Sequence, residues 1–285
     1  MNDESSKVTG KSLSFSDITT PTELIAYLDS SERLKSRKFL YHYTTIEKAI
    51  KIFKSKTWHL GNPHDMNDVV EYRNGDSHRW NNIFFASFMA ENKESIAMWS
   101  MYAQPWVDGV KIAIPMSTMK AWLKSVDKIL EVSPTNYDEL TGNSIPINER
   151  NAIHISSVAY SDATSCDSNS NTETLMWSNK KNTKIPNCQQ ISELTGYIKD
   201  DAWDYEKEVR LKAEFENTFG YSRVAVKIPD SILNEITISS GPLFEGDLLQ
   251  RMEYELNRSF HTDQSFFAGK LNIKSICDSC QYRKQ

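Results

Sequence analysis

Between residues 39 and 53 the hydrophobic period changes abruptly from that of a strand to that of a helix. In Lys38–Thr45, KFLYHYTT, an extended chain puts Phe39, Tyr41 and Tyr43 on one side and Leu40, His42 and Thr44 on the other. Thr44-Thr45-Ile46-Glu47 then spells a capping box, and Ile46, Ala49, Ile50 and Phe53 recur at helical spacing. His42 therefore sits at a strand end, just before a helix opens. Sites are often built at such an edge, where a rigid element holds the side chain and a loop gives access. Taken alone, His42 reads as a hydrogen-bonded structural residue.

The remaining segments repeat this mixture. Thr20-Pro21-Thr22-Glu23 is a second capping box, with Pro21 at the first helical position and Leu24, Ile25 and Leu28 behind it. Strands are expected over 57–60, 83–88, 110–114, 152–160, 223–228, 235–239 and 271–276, with a strand also starting near Glu206. Helices are expected over 116–126 and 247–258, around Ile191, Leu194 and Ile198, and as a turn carrying Met98, Trp99 and Tyr102. Residues 131–150 read as turns, and residues 161–187 as a polar insert. The chain reads as a flexible segment, 1–19, followed by a single α+β domain, 20–285, with peripheral helices.

A chain of 285 residues, 39% hydrophobic and 25% charged, is long enough to bury a core and has ordinary globular composition. No run approaches the ~18 apolar residues of a membrane span, and no apolar leader opens the sequence. A cytoplasmic protein with free thiols at Cys166, Cys188, Cys277 and Cys280 is expected. The net charge of -5 argues against broad binding to phosphate backbones.

Three islands could carry chemistry: His42 with Tyr41 and Tyr43; Ser87 followed by Met98-Trp99-Ser100-Met101-Tyr102-Ala103; and Tyr205-Glu206-Lys207-Glu208-Val209-Arg210. In an extended chain Glu206, Glu208 and Arg210 share one face, which by itself reads as a solvated strand edge. In order, YHYTTIEKAIKIFKSKTWHLGNPHDMND, FFASF, MWSMYA and WDYEKEVR resemble a bacterial domain family of unassigned function. The resemblance covers roughly residues 38–276 and departs at Met101, where the family usually has histidine, and in the polar insert. More distantly, the islands resemble ADP-ribosyltransferases of the DNA-modifying toxin type, and Glu206-x-Glu208 is similar to the paired-glutamate motif of another branch.

That resemblance implies a split β-sheet core and NAD as co-substrate, with no metal. Breaking the nicotinamide–ribose bond builds positive charge on the ribose, so a carboxylate on a ribose hydroxyl is favoured most in the transition state. Glu208 is the implied catalytic group. Glu206 would orient or deprotonate the acceptor, or raise its neighbour's pKa, and His42 would hold a hydroxyl of NAD. Tyr102, or else Tyr43, would stack on nicotinamide, while Thr44, Ser87 and Ser100 would make polar contacts. Arg210 would pair with a glutamate or with the diphosphate. Trp203 and Tyr205 would face the acceptor, expected to be RNA or DNA rather than protein, and an antitoxin partner and a role as toxin or phage-defence effector follow.

Trp177 with Lys180, Lys181 and Lys184 forms a basic aromatic cluster or a plain solvated lysine run. Cys277-x-x-Cys280 would need Cys166, Cys188 or His261 to complete a zinc site, and the spacing fits no familiar pattern. Asp65, Asp68 and Glu71 follow no metal-loop rule. An NAD glycohydrolase using the same residues with water, and a noncatalytic interaction domain with no enzymatic role, are the competing readings.

Overall fold

The strand segments assemble into a large sheet with helices laid against it, and its central strands, Ile83–Met89, Gly109–Pro115 and Glu208–Glu214, are buried on both faces. The computed structural model describes residues 21–29, 34, 37–63, 81–91, 93–148, 152–161, 173–176, 182–185, 194–216, 223–257 and 262–270. In chain order they form α1 (Pro21–Asp29), β1 (Phe39–Thr45), α2 (Ile46–Ser55), β2 (Thr57–Gly61), β3 (Ile83–Met89), α3 (Ile96–Tyr102), β4 (Gly109–Pro115) and α4 (Met116–Ser125). Next come β5 (Lys128–Val132), β6 (Leu140–Pro146), β7 (Ala152–Ser157), β8 (Ala159–Ser161), β9 (Glu173–Met176), β10 (Asn182–Ile185) and β11 (Ile198–Asp200). A 3-10 turn (Asp201–Glu206) leads into β12 (Glu208–Glu214), followed by β13 (Arg223–Lys227), α5 (Asp230–Leu233), β14 (Thr237–Ser240), α6 (Leu248–Leu256) and β15 (Thr262–Gln264).

The main sheet has 11 strands and branches at β3. One edge of β3 pairs in full with β12, from Glu208↔Met89 to Glu214↔Ile83. The other edge is shared between two strands: Met89 pairs with Tyr41 of β1, and Phe85 with Gly61 of β2. Ser87 lies between those two pairings, where β1 and β2 diverge. β1 continues outward through β4 to β14 and β15, and β2 through β13 to β5 and β6. The fold is thus a large mixed sheet, parallel only at β14–β15, with several helices.

The alternation in β1 sorts two cores. Leu40 joins Ile46, Ala49, Ile50 and Phe53 of α2 and Met116, Met119 and Trp122 of α4 on one face. Burying each large apolar side chain contributes roughly 1.5–3 kcal/mol, so this face holds the fold together. Tyr43 points the opposite way, into a smaller cluster with Met89, Met98, Trp99 and Ala103, which seats α3 against β1. Leu24 and Leu28 of α1 pack on Ala159, Leu194 and Tyr197.

Several expected boundaries differ. The α2 N-cap is Thr45, the last residue of β1, whose side chain accepts from Lys48 N, one residue later than the capping box at Thr44 predicts. Residues 131–150 are not mere turns: they contain most of the β5–β6 pair. β6 is exposed along almost its whole length, so its sequence carries no apolar alternation. Of the helix expected around Ile191, Leu194 and Ile198, Ile191 lies outside the described residues, and 194–200 are a turn running into β11. Gly196, at φ 78°, occupies a left-handed conformation that interrupts a helix. β15 forms where no strand is expected, and the expected strand at 271–276 lies outside the described residues. Most of the 161–187 insert also lies outside them, apart from the β9–β10 pair. No helix among the described residues is long and apolar enough to cross a membrane.

Candidate active site

Where β1 and β12 flank the end of β3, a hollow opens that is lined by Tyr41, His42, Tyr43, Ser87, Phe88, Met98, Tyr102, Glu206 and Glu208. Its cavity is about 60 Å³. The ladders explain the convergence. The β3–β12 register places Glu208 against Met89 and Arg210 against Ser87, and the β1–β3 pairing at Met89 brings Tyr41 and His42 alongside.

Glu208 is 3% exposed and Arg210 1%, which rules out the solvated edge expected from the charge row. Arg210 grips Glu208 with both ends of its fork, Nε to Oε1 at 2.9 Å and Nη2 to Oε2 at 3.1 Å. Its Nη1 donates to the Gly196 carbonyl at 2.9 Å, and its guanidinium lies over the Phe85 ring. Ser87 Oγ also donates to Glu208, and Tyr160 Oη accepts from the Glu208 amide at 2.7 Å. Burial alone would raise the Glu208 pKa, but Arg210 and Lys199 outweigh it and bring it down to about 2.

Glu206 is set differently. It ends the 3-10 turn, and Lys207 at φ 44° turns the chain through a left-handed residue before β12 begins. The two glutamates therefore do not share the face of one strand, as an extended reading requires; they reach the same hollow from either side of a kink. Tyr102 Oη donates to Glu206 Oε1, and Lys199 Nζ donates to Oε2 at 2.6 Å. Burial pushes the Glu206 pKa up, Lys199 opposes it, and Glu208 adds to the rise. Glu206 thus does not raise its neighbour's pKa to a net increase; the neighbour ends low and Glu206 ends high. Burial, then Glu206, keeps the Tyr102 hydroxyl protonated.

His42 Nδ1 lies 3.0 Å from the Ser87 carbonyl oxygen. A carbonyl only accepts, so Nδ1 carries the proton and Nε2 is left as an acceptor for a hydroxyl. Burial holds the His42 pKa below 6.5, so the ring is neutral at pH 7. Trp58 and Phe88 fix its plane by edge and tilted contacts.

The residues expected around a site divide clearly. His42, Tyr43, Ser87, Tyr102, Glu206 and Glu208 line the hollow. Arg210 does not line it: its guanidinium grips Glu208, one of its two expected partners, and the Gly196 carbonyl. Thr44 is buried on the opposite side of β1 from Tyr43, and Ser100 is exposed on α3. Neither lines the hollow. Trp203 covers Lys199, its ring centre 4.6 Å from Nζ, and Tyr205 packs beside the Tyr43–Trp99 cluster. Trp99 is core, edge-on to Tyr43. Lys199, bonded to the Glu206 carboxylate, and Tyr160, bonded to the Glu208 amide, belong to no island. Lys199 stands between Ile198 and Asp200-Asp201, a pattern that marks no buried cation, and a helical reading of that stretch hides it.

Among the described residues no group of three His, Cys, Asp or Glu is placed to hold a metal. All four cysteines, His261, Asp65, Asp68 and Glu71 lie outside them, as do Trp177, Lys180 and Lys181.

Residues 98–211 match the model of a family described as "Protein of unknown function (DUF2971)". The match contains the second part of the middle island and all of the last, and leaves out His42 and Ser87. No curated protein matches the chain. Among solved structures the chain is similar to "Thermus sp. 2.9 DarT in complex with NAD+", with 8% identity and a TM-score of 0.34 over 81% of this chain and 96% of that one. A likeness at that score decides neither ligand nor reaction.

Proposed function

We propose that this chain is an NAD-dependent ADP-ribosyltransferase with a single ADP-ribosyltransferase-like domain over 20–285, acting as an intracellular toxin or phage-defence effector. The observation that carries the reading is the hollow itself, where a neutral imidazole, a fully ionised carboxylate and a carboxylate of raised pKa face one space. In this reading the hollow takes the nicotinamide riboside end of NAD. Glu208 accepts a ribose hydroxyl, displacing the Ser87 hydroxyl, and His42 Nε2 accepts another. The C1′–nitrogen bond breaks with its electron pair leaving on nicotinamide, and the Glu208 charge stabilises the cationic ribose as it forms. The acceptor nucleophile then bonds to C1′ and its proton passes to Glu206, whose raised pKa makes it a stronger proton acceptor than an ordinary carboxylate. Tyr102 and Tyr43 offer flat faces for the nicotinamide ring.

The resemblance of the opening strand to DNA-modifying toxins favours a nucleic-acid base as acceptor, with Trp203 and Tyr205 beside it. Incubation with NAD, alone and with RNA, DNA or protein, tests the reading. Label on a polymer together with free nicotinamide is the expected result. Free nicotinamide without label means a glycohydrolase, and a folded protein that neither binds nor consumes NAD means an interaction domain.

A further inference from the structure

The carboxylate pair is governed by two cations, and both are held by one short segment that no motif marks. β11 pairs in parallel with β8, Lys199 opposite Tyr160, which fixes the height of the lysine beside β12. Lys199 Nζ stands 2.6 Å from Glu206 Oε2 and 3.5 Å from Glu208 Oε2, with its side chain 8% exposed. Three residues earlier the Gly196 carbonyl anchors Arg210. Arg210 turns its fork to Glu208, and the ion pair of Glu206 falls to Lys199.

We infer that Lys199 is a positioning residue: it fixes the Glu206 carboxylate at the hollow and favours its charged form, while Arg210 does the same for Glu208, so each carboxylate is set separately for its own task. The inference rests on the transferase reading for what those tasks are. The groups that face Glu206 are Lys199 from β11, Glu208 and Arg210 from β12, Tyr102 from α3, Tyr160 from β8 and Tyr205 from its own turn. Of these, Lys199 is the cation bonded to Glu206. Burial opposes the lysine's charge, but Glu208 and Glu206 together keep its pKa above the ordinary value, so it stays charged wherever Glu206 titrates.

Lys199→Gln keeps a hydrogen-bond donor and removes the charge; Lys199→Arg keeps the charge. In ligand-free protein labelled with carboxyl-13C glutamate, the Glu206 signal, assigned by its loss in Glu206→Gln, should titrate about 1–3 pH units higher in Lys199→Gln. In Lys199→Arg it should stay with the unmodified chain. The acid limb of NAD turnover should move up with that carboxyl in Lys199→Gln, and the rate should recover at alkaline pH. An unmoved Glu206 titration, or a rate lowered equally at every pH, overturns the inference. Should the glutamine chain not fold, Lys199→Arg decides instead: a Glu206 titration displaced by about one pH unit or more overturns it. If the unmodified protein consumes no NAD, the transferase reading fails, and the carboxyl titration still decides the role of Lys199.

Discussion

The buried lysine–glutamate pairs Lys111–Glu94 and Lys199–Glu206 behave differently. Lys111 and Glu94 form one, with side chains 10% and 7% exposed. Glu94 also accepts from Ser265 Oγ at 2.6 Å, the Phe266 amide at 3.2 Å and Trp99 Nε1 at 3.4 Å. Burial raises its pKa, yet Lys111 and Ser265 more than reverse that. The pair ties the residues after β15 to the start of α3, and neither member lines the hollow. Lys199 and Glu206 form the other pair, equally buried, but Glu206 keeps a raised pKa and borders that hollow. Burying a charge therefore does not make a site. A carboxylate whose pKa is raised rather than lowered, beside open space, is what separates the two.

Glu208→Gln should give the largest effect: NAD turnover down about 10²–10³-fold in steady-state assay, with a lowered melting temperature because Arg210 loses its charged partner. Unchanged turnover would remove Glu208 from the chemistry. Glu94→Gln sharpens the contrast. Breaking that buried pair should cost about 3–5 kcal/mol in denaturant unfolding and leave turnover per folded molecule at the wild-type level. A turnover collapse there would erase the distinction between the pairs.

His42→Ala should remove the donor on the Ser87 carbonyl and cost about 1–3 kcal/mol of stability, alongside weaker NAD binding by calorimetry. Acid titration gives a smaller, signed effect. The Glu208 pKa is depressed from 4.5 to about 2 by folding, so its stabilisation is complete above pH 4.5 and lost as pH falls toward 2. Glu206, raised on folding, has the opposite slope. Unfolding free energy of the wild type should drop through that window, and Glu208→Gln should flatten the drop. Ser100→Ala, on the exposed face of α3, should change stability by less than about 0.5 kcal/mol and leave turnover unchanged.

How much of this is legible in the sequence follows from local physics. The two faces of β1 are readable because period-two alternation is a property of the chain itself: Leu40 and Tyr43 go to the cores their positions predict. Glu206 and Glu208 are readable as a pair but not as a geometry, because one residue at positive φ, Lys207, breaks the alternation and no side-chain pattern announces it. Lys199 is hidden for a related reason. Gly196 ends what looks like helical spacing, and only the long-range pairing with β8 reveals a strand there. β6 carries little burial and so leaves no hydrophobic trace.

The divergence of β1 and β2 beside Ser87 has a cost that the imidazole of residue 42 meets. A strand carbonyl facing that gap has no ladder neighbour, and the ring supplies the missing donor. Histidine at this position is thus part of the frame as well as of the lining of the hollow. A descendant of this chain stripped of every enzymatic purpose would still be better off keeping it, so its persistence is no badge of a working enzyme.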